Sequence, residues 1–394
     1  MFLDQIGMGG EWWSWILWIA FMVVFFMFYP RLMISQIMWK LERSVRELET
    51  LSSRARKIVK KEISKKPDKV VNDSIDRFFE FFAISPIGLD PYGIVKKMDH
   101  IIRNQKDRFD YFVDQVAPKM DAEKKESVKM GLAGGMGLYE LMKIVRHYVE
   151  IIKKTKNIQI AMILQMQLPF VEKMARAIYK GTETMVKGKP IGDALGPYTA
   201  TKLFGNKKVG KIEEGIAMVN VKIDGKNCFV IKASGPGGRL GFPGKAVERI
   251  ANKNKIARII TVDAAAKLEG EKTGSVAEGV GVAMGGPGVE RSYIEAVVVK
   301  KNIPMDSVIV KMSPEEAIEP MKKSIKDAYP TVRESISRSL KRVKKNEKVI
   351  IVGVGNSSGV GDSEKEVKEM EKWVDNRHKK QKNKKKKGRF RRKK

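Results

Sequence analysis

From Trp12 to Tyr29 the chain is apolar and carries no charge: Trp-Trp-Ser-Trp-Ile-Leu-Trp-Ile-Ala-Phe-Met-Val-Val-Phe-Phe-Met-Phe-Tyr. A helix of that length rises about 27 Å, close to the hydrocarbon thickness of a bilayer. Trp12, Trp13 and Tyr29 stand at its ends, where aromatic rings favour the headgroup boundary. Pro30 is expected to end or kink the helix. Beyond it, Leu41, Val45, Leu48, Leu51, Ala55 and Ile58 recur at steps of three and four, and the next step lands on Glu62. No Gly or Pro interrupts residues 31–66. The spacing predicts one long helix with a narrow apolar stripe. That stripe is either the seam of a short parallel coiled coil, giving a homo-oligomer, or a stalk packed against its own chain.

Residues 67–188 read as helices with breaks. Asn72-Asp73-Ser74 signals a helix start, and turn formers crowd Ser85 to Gly93, including Leu-Asp-Pro at 89–91. A helix is expected over about 93–117, ahead of Pro118. Gly131, Gly134, Gly135 and Gly137 either let helices approach closely or mark a loop. The apolar run Ile158–Val171 is short for a second span and contains Pro169, so a buried helix is expected there.

The period changes near residue 189. Met218–Ile223 and Cys228–Lys232 flank Asp224-Gly225 and read as a hairpin. Ala257–Val262, Ile294–Val299 and Val349–Val352 read as further strands, with helical stretches at 244–254 and 314–342 between them. The expected fold class is therefore membrane-anchored α plus α/β, ending in a three-layer α/β domain with a mainly parallel sheet. Its expected parts are an outer N-terminus (1–11), a transmembrane helix (12–30) and a stalk (31–66). A helical domain (67–188) and the α/β domain (189–363) follow. Residues 364–394 are expected to be the end of a helix and a basic, disordered tail.

Charge supplies orientation. Residues 1–11 carry Asp4 and Glu11 but no Lys or Arg, whereas Arg31, Lys40, Arg43 and Arg46 follow the span. The positive-inside rule then puts the N-terminus outside a cell membrane and the body on the cytoplasmic face. A cleaved signal peptide fits badly, because a basic first region and a small-residue cleavage site are missing. The formal net charge is +31, and from Arg377 onward the chain has thirteen Lys or Arg and no acid. Lys384, Lys385, Lys386, Lys387, Arg389, Arg391 and Arg392 belong to this run. It would seek RNA, a ribosomal surface or anionic lipid. Cys228 is the only cysteine, which excludes an intramolecular disulfide. His100, His147 and His378 are too scattered for a His/Cys zinc site.

In α/β sheets, chemistry gathers in the loops at strand ends. Ser234–Gly244, Glu278–Gly288 and Gly353–Gly361 are rich in glycine. Gly237, Gly238, Gly285, Gly286, Gly288, Gly353, Gly355 and Asn356 are candidates for cradling an oxyanion or phosphate with backbone N–H groups. No loop has a Walker ending, and the third lacks dinucleotide spacing. Asp193 lies in Gly192-Asp-Ala-Leu-Gly-Pro197, and Asp263 closes the strand Ile259–Asp263. Two carboxylates meeting at strand ends could share a proton, activate water or bind a divalent metal; either one alone could equally cap a helix. Glu269, Glu271 and Glu278 are secondary acidic candidates, as metal ligands beside the aspartates.

The order Asp-Ala-Leu-Gly-Pro (193–197), Val-Asp-Ala (262–264), Gly-Gly-Pro-Gly-Val (285–289) resembles the spore germination protease and, more loosely, the hydrogenase maturation proteases. The resemblance implies a three-layer phosphorylase/hydrolase-like fold and a peptidase-like hydrolase with Asp193 and Asp263 as catalytic residues. In those proteases a Gly-Leu-Gly-Asn strand directly precedes the Asp-Ala-Leu-Gly-Pro segment. Here Gly353-Val-Gly-Asn356 lies far downstream, so the domain is permuted or the likeness partial. Nickel-binding relatives use a histidine, and no His occurs between 148 and 377. The whole chain also resembles an archaeal membrane-anchored family known only as a domain of unknown function. That likeness rests on the span, the Leu-Asp-Pro turn, Leu268–Gly279 and the Gly-Val-Gly-Asn loop. The expectation is a hydrolase at the membrane. Against it stand a non-enzymatic adaptor working through its basic tail and a phosphate- or nucleotide-binding regulator working through its glycine loops.

Overall fold

The computed structural model describes residues 11–64, 67–86 and 93–391. The N-terminal segment before residue 11 and the Leu-Asp-Pro turn lie outside the described residues. Helix α1 runs Glu11–Ile63 and continues through Pro30, which therefore does not end it. It contains a stretch long and apolar enough to cross a membrane, by length and composition. Trp15, Leu17, Trp18, Phe21 and Phe26 are exposed along that stretch. Helices α2 (Lys69–Phe78), α3 (Ile94–Val116), α4 (Ala122–Thr155) and α5 (Ile158–Val186) follow. The chain divides into two compact units, Met1–Ser53 with Leu138–Ala175, and Arg54–Gly137 with Arg176–Lys394.

In the first unit, Leu41, Val45, Leu48 and Leu51 of α1 are buried. Glu49 pairs with Arg146 and Glu42 with Lys153 on α4, and the Ser44 hydroxyl donates to Glu172 on α5. From Leu41 to Leu51 the apolar stripe is thus covered by side chains of its own chain. Residues 158–171, expected to be a buried helix, are only half covered. Ala161 and Leu168 are buried, while Met162, Ile163, Met166 and Phe170 face outward.

In the second unit, Asp68 caps α2 by accepting the Val71 N–H at 2.8 Å, so the helix starts ahead of the Asn72-Asp73-Ser74 signal. The glycine cluster lies inside α4, with no loop. A Cβ at Gly131 would stand 1.9 Å from the Val186 side chain on α5, so close helix packing is what requires glycine there.

A single turn of 3-10 helix (Gly192–Ala194) leads into α6 (Leu195–Phe204) and then a seven-stranded sheet. Its strands are β1 (Gly210–Glu213), β2 (Ile216–Ile223), β3 (Lys226–Ala233), β4 (Ile256–Ala266), β5 (Val276–Val280), β6 (Met305–Met312) and β7 (Lys348–Gly353). The spatial order is β1-β2-β3-β7-β4-β6-β5. The inner strands β3, β7, β4 and β6 are parallel, whereas β1, β2 and β5 pair antiparallel at the edges. The sheet is therefore mixed, where a mainly parallel one was expected. The hairpin forms as read, with Asp224 and Gly225 at φ of 49° and 76°, the double positive φ that a tight two-residue turn requires.

Helices α7 (Pro243–Lys253), α8 (Val289–Lys301), α9 (Pro314–Ile318), α10 (Lys323–Lys326), α11 (Tyr329–Lys341) and α12 (Glu364–Arg391) complete the chain. One face of the sheet packs Val230, Val262 and Ile351 against α6, α11 and α12; the other packs Ile231, Ile259 and Ile350 against α7 and α8. The domain thus has three layers.

Two expectations fail here for physical reasons. The β-branched run Ile294–Val299 is in α8, because Ile294 and Val297, three apart, are buried on one side while Val299 is exposed. The segment after Arg377, expected to be disordered, continues α12 as helix to Arg391.

Candidate active site

The loops at the carboxyl ends of β3, β4 and β7 enclose a cavity of about 490 Å³, and Asp193 and Asp263 both line it. Close backbone contact brings the first aspartate there. A Cβ on Gly196 would stand 1.9 Å from the Val354 carbonyl oxygen, and one on Gly355 would stand 2.2 Å from the Asp193 carbonyl oxygen. These glycines press the Asp193 turn onto the exit of β7. The Asn356 N–H then donates to Asp193 Oδ2 at 2.8 Å. The Gly353–Asn356 segment, remote in sequence from Asp-Ala-Leu-Gly-Pro, is therefore its immediate neighbour in space.

Asp263 reaches the cavity from β4 and is buried. Its Oδ1 accepts the Ala264 N–H at 2.6 Å. Burial, reinforced by the negative charge of Asp193, pushes the Asp263 carboxyl up to about 8; hydrogen bonds from the Ala264 and Gly285 backbone act the other way. Burial also raises Asp193, opposed by the bond from Asn356. Two nearby carboxyls in a low-dielectric site resist ionising together, so they titrate as a coupled pair.

Gly285, Gly286, Gly288, Gly353 and Gly355 line the same cavity, as their loops suggested. Asn356 contributes its backbone N–H to Asp193, while its side-chain oxygen accepts the Ser358 N–H at 2.9 Å. Gly237 and Gly238 do not belong to this site. The Gly237 N–H donates to Glu123 Oε2 at 2.7 Å, and Arg239 grips the same carboxylate through bonds of 2.7 and 2.9 Å. A carboxylate of the chain itself holds the place expected for a bound anion. Gly238 faces Met130, in a neighbouring cavity.

The secondary acidic candidates also fall away. Glu269 is exposed, Glu271 pairs with Lys311, and Glu278 pairs with Arg338 at 2.5 Å. None of them lines the cavity. Among the described residues, no group of three or more His, Cys, Asp or Glu side chains could hold a metal ion. The divalent-metal expectation therefore finds no ligand set there. Lys384 is exposed on α12; the side chains of Lys385, Lys386, Lys387, Arg389, Arg391 and Arg392 lie outside the described ones.

Sequence reading missed two acids on the cavity wall, Asp99 and Glu290. Asp99, on α3, accepts bonds from Lys245 at 2.8 Å, Arg103 at 3.1 Å and the Tyr293 hydroxyl at 3.2 Å. Burial alone would raise it, but the bonds and charges of Lys245 and Arg103 bring it below the usual range. Glu290 accepts the Gly244 N–H at 2.7 Å, and burial raises it. Its place two residues after Gly288 was the one available signal. Nothing in the sequence joins Asp99 to this site.

A buried ion pair fixes the loops. Lys232 Nζ donates to Asp362 Oδ1 at 2.5 Å and to the Ala233 carbonyl at 2.9 Å, and the Gly235 N–H donates to the same Asp362 oxygen at 3.0 Å. Burial lowers the Lys232 ammonium despite that partner. The pair ties the segment after β3 to the segment before α12.

Residues 15–188 match the family model described as "Protein of unknown function (DUF1512) N-terminal domain". Residues 191–361 match "Domain of unknown function (DUF1512) C-terminal". No curated protein and no solved structure matches the chain.

Proposed function

We propose that this chain, which belongs to the DUF1512 family, is a peptidase-like hydrolase held by α1 in a cell membrane with its body on the cytoplasmic face. The carrying observation is the pair Asp193 and Asp263, two carboxyls of raised proton affinity lining one glycine-rich cavity. At neutral pH such a pair is suited to hold one proton between its members. Asp193, which already accepts the Asn356 N–H, is the better carboxylate; Asp263 is the better acid.

In amide hydrolysis Asp193 takes a proton from water as the water oxygen attacks the carbonyl carbon. Asp263 then gives its proton to the leaving nitrogen as the carbon–nitrogen bond breaks. One water is consumed, and proton transfer from Asp193 to Asp263 restores the pair. Backbone N–H groups of the glycine loops are the natural donors to the developing oxyanion.

The test uses the purified full chain in lipid nanodiscs and a peptide pool whose products are read by mass spectrometry. Asn keeps the shape of Asp and still accepts the Asn356 N–H. Asp193→Asn and Asp263→Asn are therefore expected to stay folded and to lose about 10²- to 10⁴-fold in rate, the usual weight of a general acid or base. A wild-type chain that cleaves nothing, or Asn variants that cleave normally, would sink the reading.

The adaptor reading draws on α12. Lys379, Lys380, Lys382 and Lys384 project from one continuous helix, all exposed. Among the described side chains the last buried one is Val374, and Arg377 donates to the Pro320 carbonyl at 3.3 Å. Deleting residues 379–394 should therefore spare the fold and any hydrolysis. It should abolish salt-sensitive retention on RNA or on phosphatidylserine vesicles, assayed separately by co-sedimentation. Unchanged retention on both would leave the basic helix without this role.

A further inference from the structure

The cavity of the aspartate pair adjoins a second one and shares part of its lining. Ile102, Gln105, Leu240, Gly241 and Phe242 line both. Beyond them a space of about 360 Å³ opens between α3, α4 and the loop after β3, walled by Phe109, Met130 and Ala133. Five large apolar side chains line the space, beside six charged ones.

The charges around it are already matched. Lys106 donates to Asp110 at 2.7 Å and to Glu214 at 2.8 Å. Lys129 bridges Asp110 and Glu126. Arg239 is held by Glu123. A charged ligand group would have to break one of these pairs and desolvate its partner, which is costly in a half-buried site. A neutral apolar group breaks none of them and gains by leaving water. The volume suits one large aliphatic or aromatic side chain with part of its backbone, at the small end of ligand sites.

We propose that this second cavity is the specificity subsite of the Asp193–Asp263 centre, receiving a neutral apolar side chain of leucine, methionine or phenylalanine size beside the bond that is cleaved. The proposal rests on the hydrolase reading of that centre. It also assigns work to the helical half of the chain. Residues on α3 and α4 build the far wall, so both matched domains contribute to one binding site.

The experiment has a binding arm and a cleavage arm, both on the full chain in nanodiscs. The first follows the ¹³C-labelled methyl of Met130, assigned through Met130→Leu, during titration with N-acetylphenylalaninamide. N-acetyllysinamide and the α-amide of N-acetylglutamate serve as charged counterparts. The Met130 signal is expected to shift saturably with the phenylalanine probe and not with the other two. Ala133 is exposed and lines the space, so Ala133→Trp fills it without entering the core. That variant is expected to weaken the probe at least tenfold.

In the cleavage arm, wild-type products should carry a large apolar residue next to the cut. Ala133→Trp should move the preference to small residues while Asp193 and Asp263 remain intact. Cleavage with no apolar preference, or a Met130 signal indifferent to the phenylalanine probe, overturns the subsite and leaves the hydrolase reading standing. Specific probe binding with no cleavage of any peptide overturns the hydrolase reading, and with it the subsite role, leaving an apolar binding cavity.

Discussion

At pH 8 the Asp263→Asn variant is expected to be inactive and yet to unfold at a higher temperature than the wild-type chain. In the folded protein Asp263 holds its proton up to about 8, against a usual value of 3.8. The folded state therefore binds a proton that the unfolded chain has released throughout that window. Each step upward in pH between those values favours unfolding, and the stability that the protonated carboxyl contributes below about pH 4 is gone above about pH 8. At about 1.4 kcal/mol per tenfold in proton affinity, the ceiling of the effect is near 6 kcal/mol. Structural relaxation and water entry reduce it, so a stabilisation of about 2–3 kcal/mol in the variant is the working expectation. Asparagine is neutral at every pH, and so removes the cost without changing the shape. Thermal unfolding followed by circular dichroism between pH 5 and 9 checks this: the wild-type midpoint should fall toward the alkaline end, and the gap to the variant should widen. Parallel curves would mean that Asp263 is not protonated in the fold. The same titration predicts an alkaline limb near pH 8 in wild-type kcat/KM, where the acid is lost. A site that costs stability and is needed for turnover is a common trade.

Gly196→Ala is expected to destroy the site and most of the folded α/β layer with it. The new methyl would meet three backbone atoms, the Val354 oxygen at 1.9 Å, the Val354 nitrogen at 2.6 Å and the Val262 oxygen at 2.7 Å. No side-chain rotation relieves such contacts. The start of α6 would have to lift off the ends of β4 and β7, which it helps to cover. Loss of more than about 4 kcal/mol is expected, in the exceptional range for one substitution. Gly137→Ala is the control, because a Cβ there meets nothing within 4 Å, and alanine favours a helix interior. Equal expression and equal melting of the two variants would show that the backbone at Gly196 has room to move.

Where local pattern and local contact coincide, the sequence was legible. The charge-free run fixed the apolar stretch of α1, and the Asp-Gly turn fixed the β2–β3 hairpin. Asp263 was legible because it closes an apolar strand, and Asp193 because it stands in the Asp-Ala-Leu-Gly-Pro motif. Asp263, the loop at 285–288 and the end of β7 then line one cavity. What stayed hidden depends on distant partners. Ile294–Val299 has the β-branched composition of a strand, and only burial of one side makes it helical. β6 is interrupted by Asp306 and Ser307, whose polar side chains find partners in Arg258 and Thr261 on the neighbouring strand β4, more than forty residues earlier. The glycines at 237–238 looked free to bind an anion because Glu123, more than a hundred residues earlier, cannot be foreseen as their partner. Asp99 joins the site for the same unreadable reason.

The order of the sheet has a consequence for synthesis. β7 is the last strand to leave the ribosome, yet it lies at the middle of the sheet, between β3 and β4. Until it arrives, β1-β2-β3 and β4-β6-β5 have no strand joining them, and neither aspartate has its final surroundings. Asp193 gains its backbone donor only when Asn356 has been made. A nascent chain that stops short of β7 therefore has α1 and both carboxyls but no finished cavity around them. The surroundings of both carboxyls are completed only when β7 and Asn356 are in place, as a single closing event in the folding of the domain.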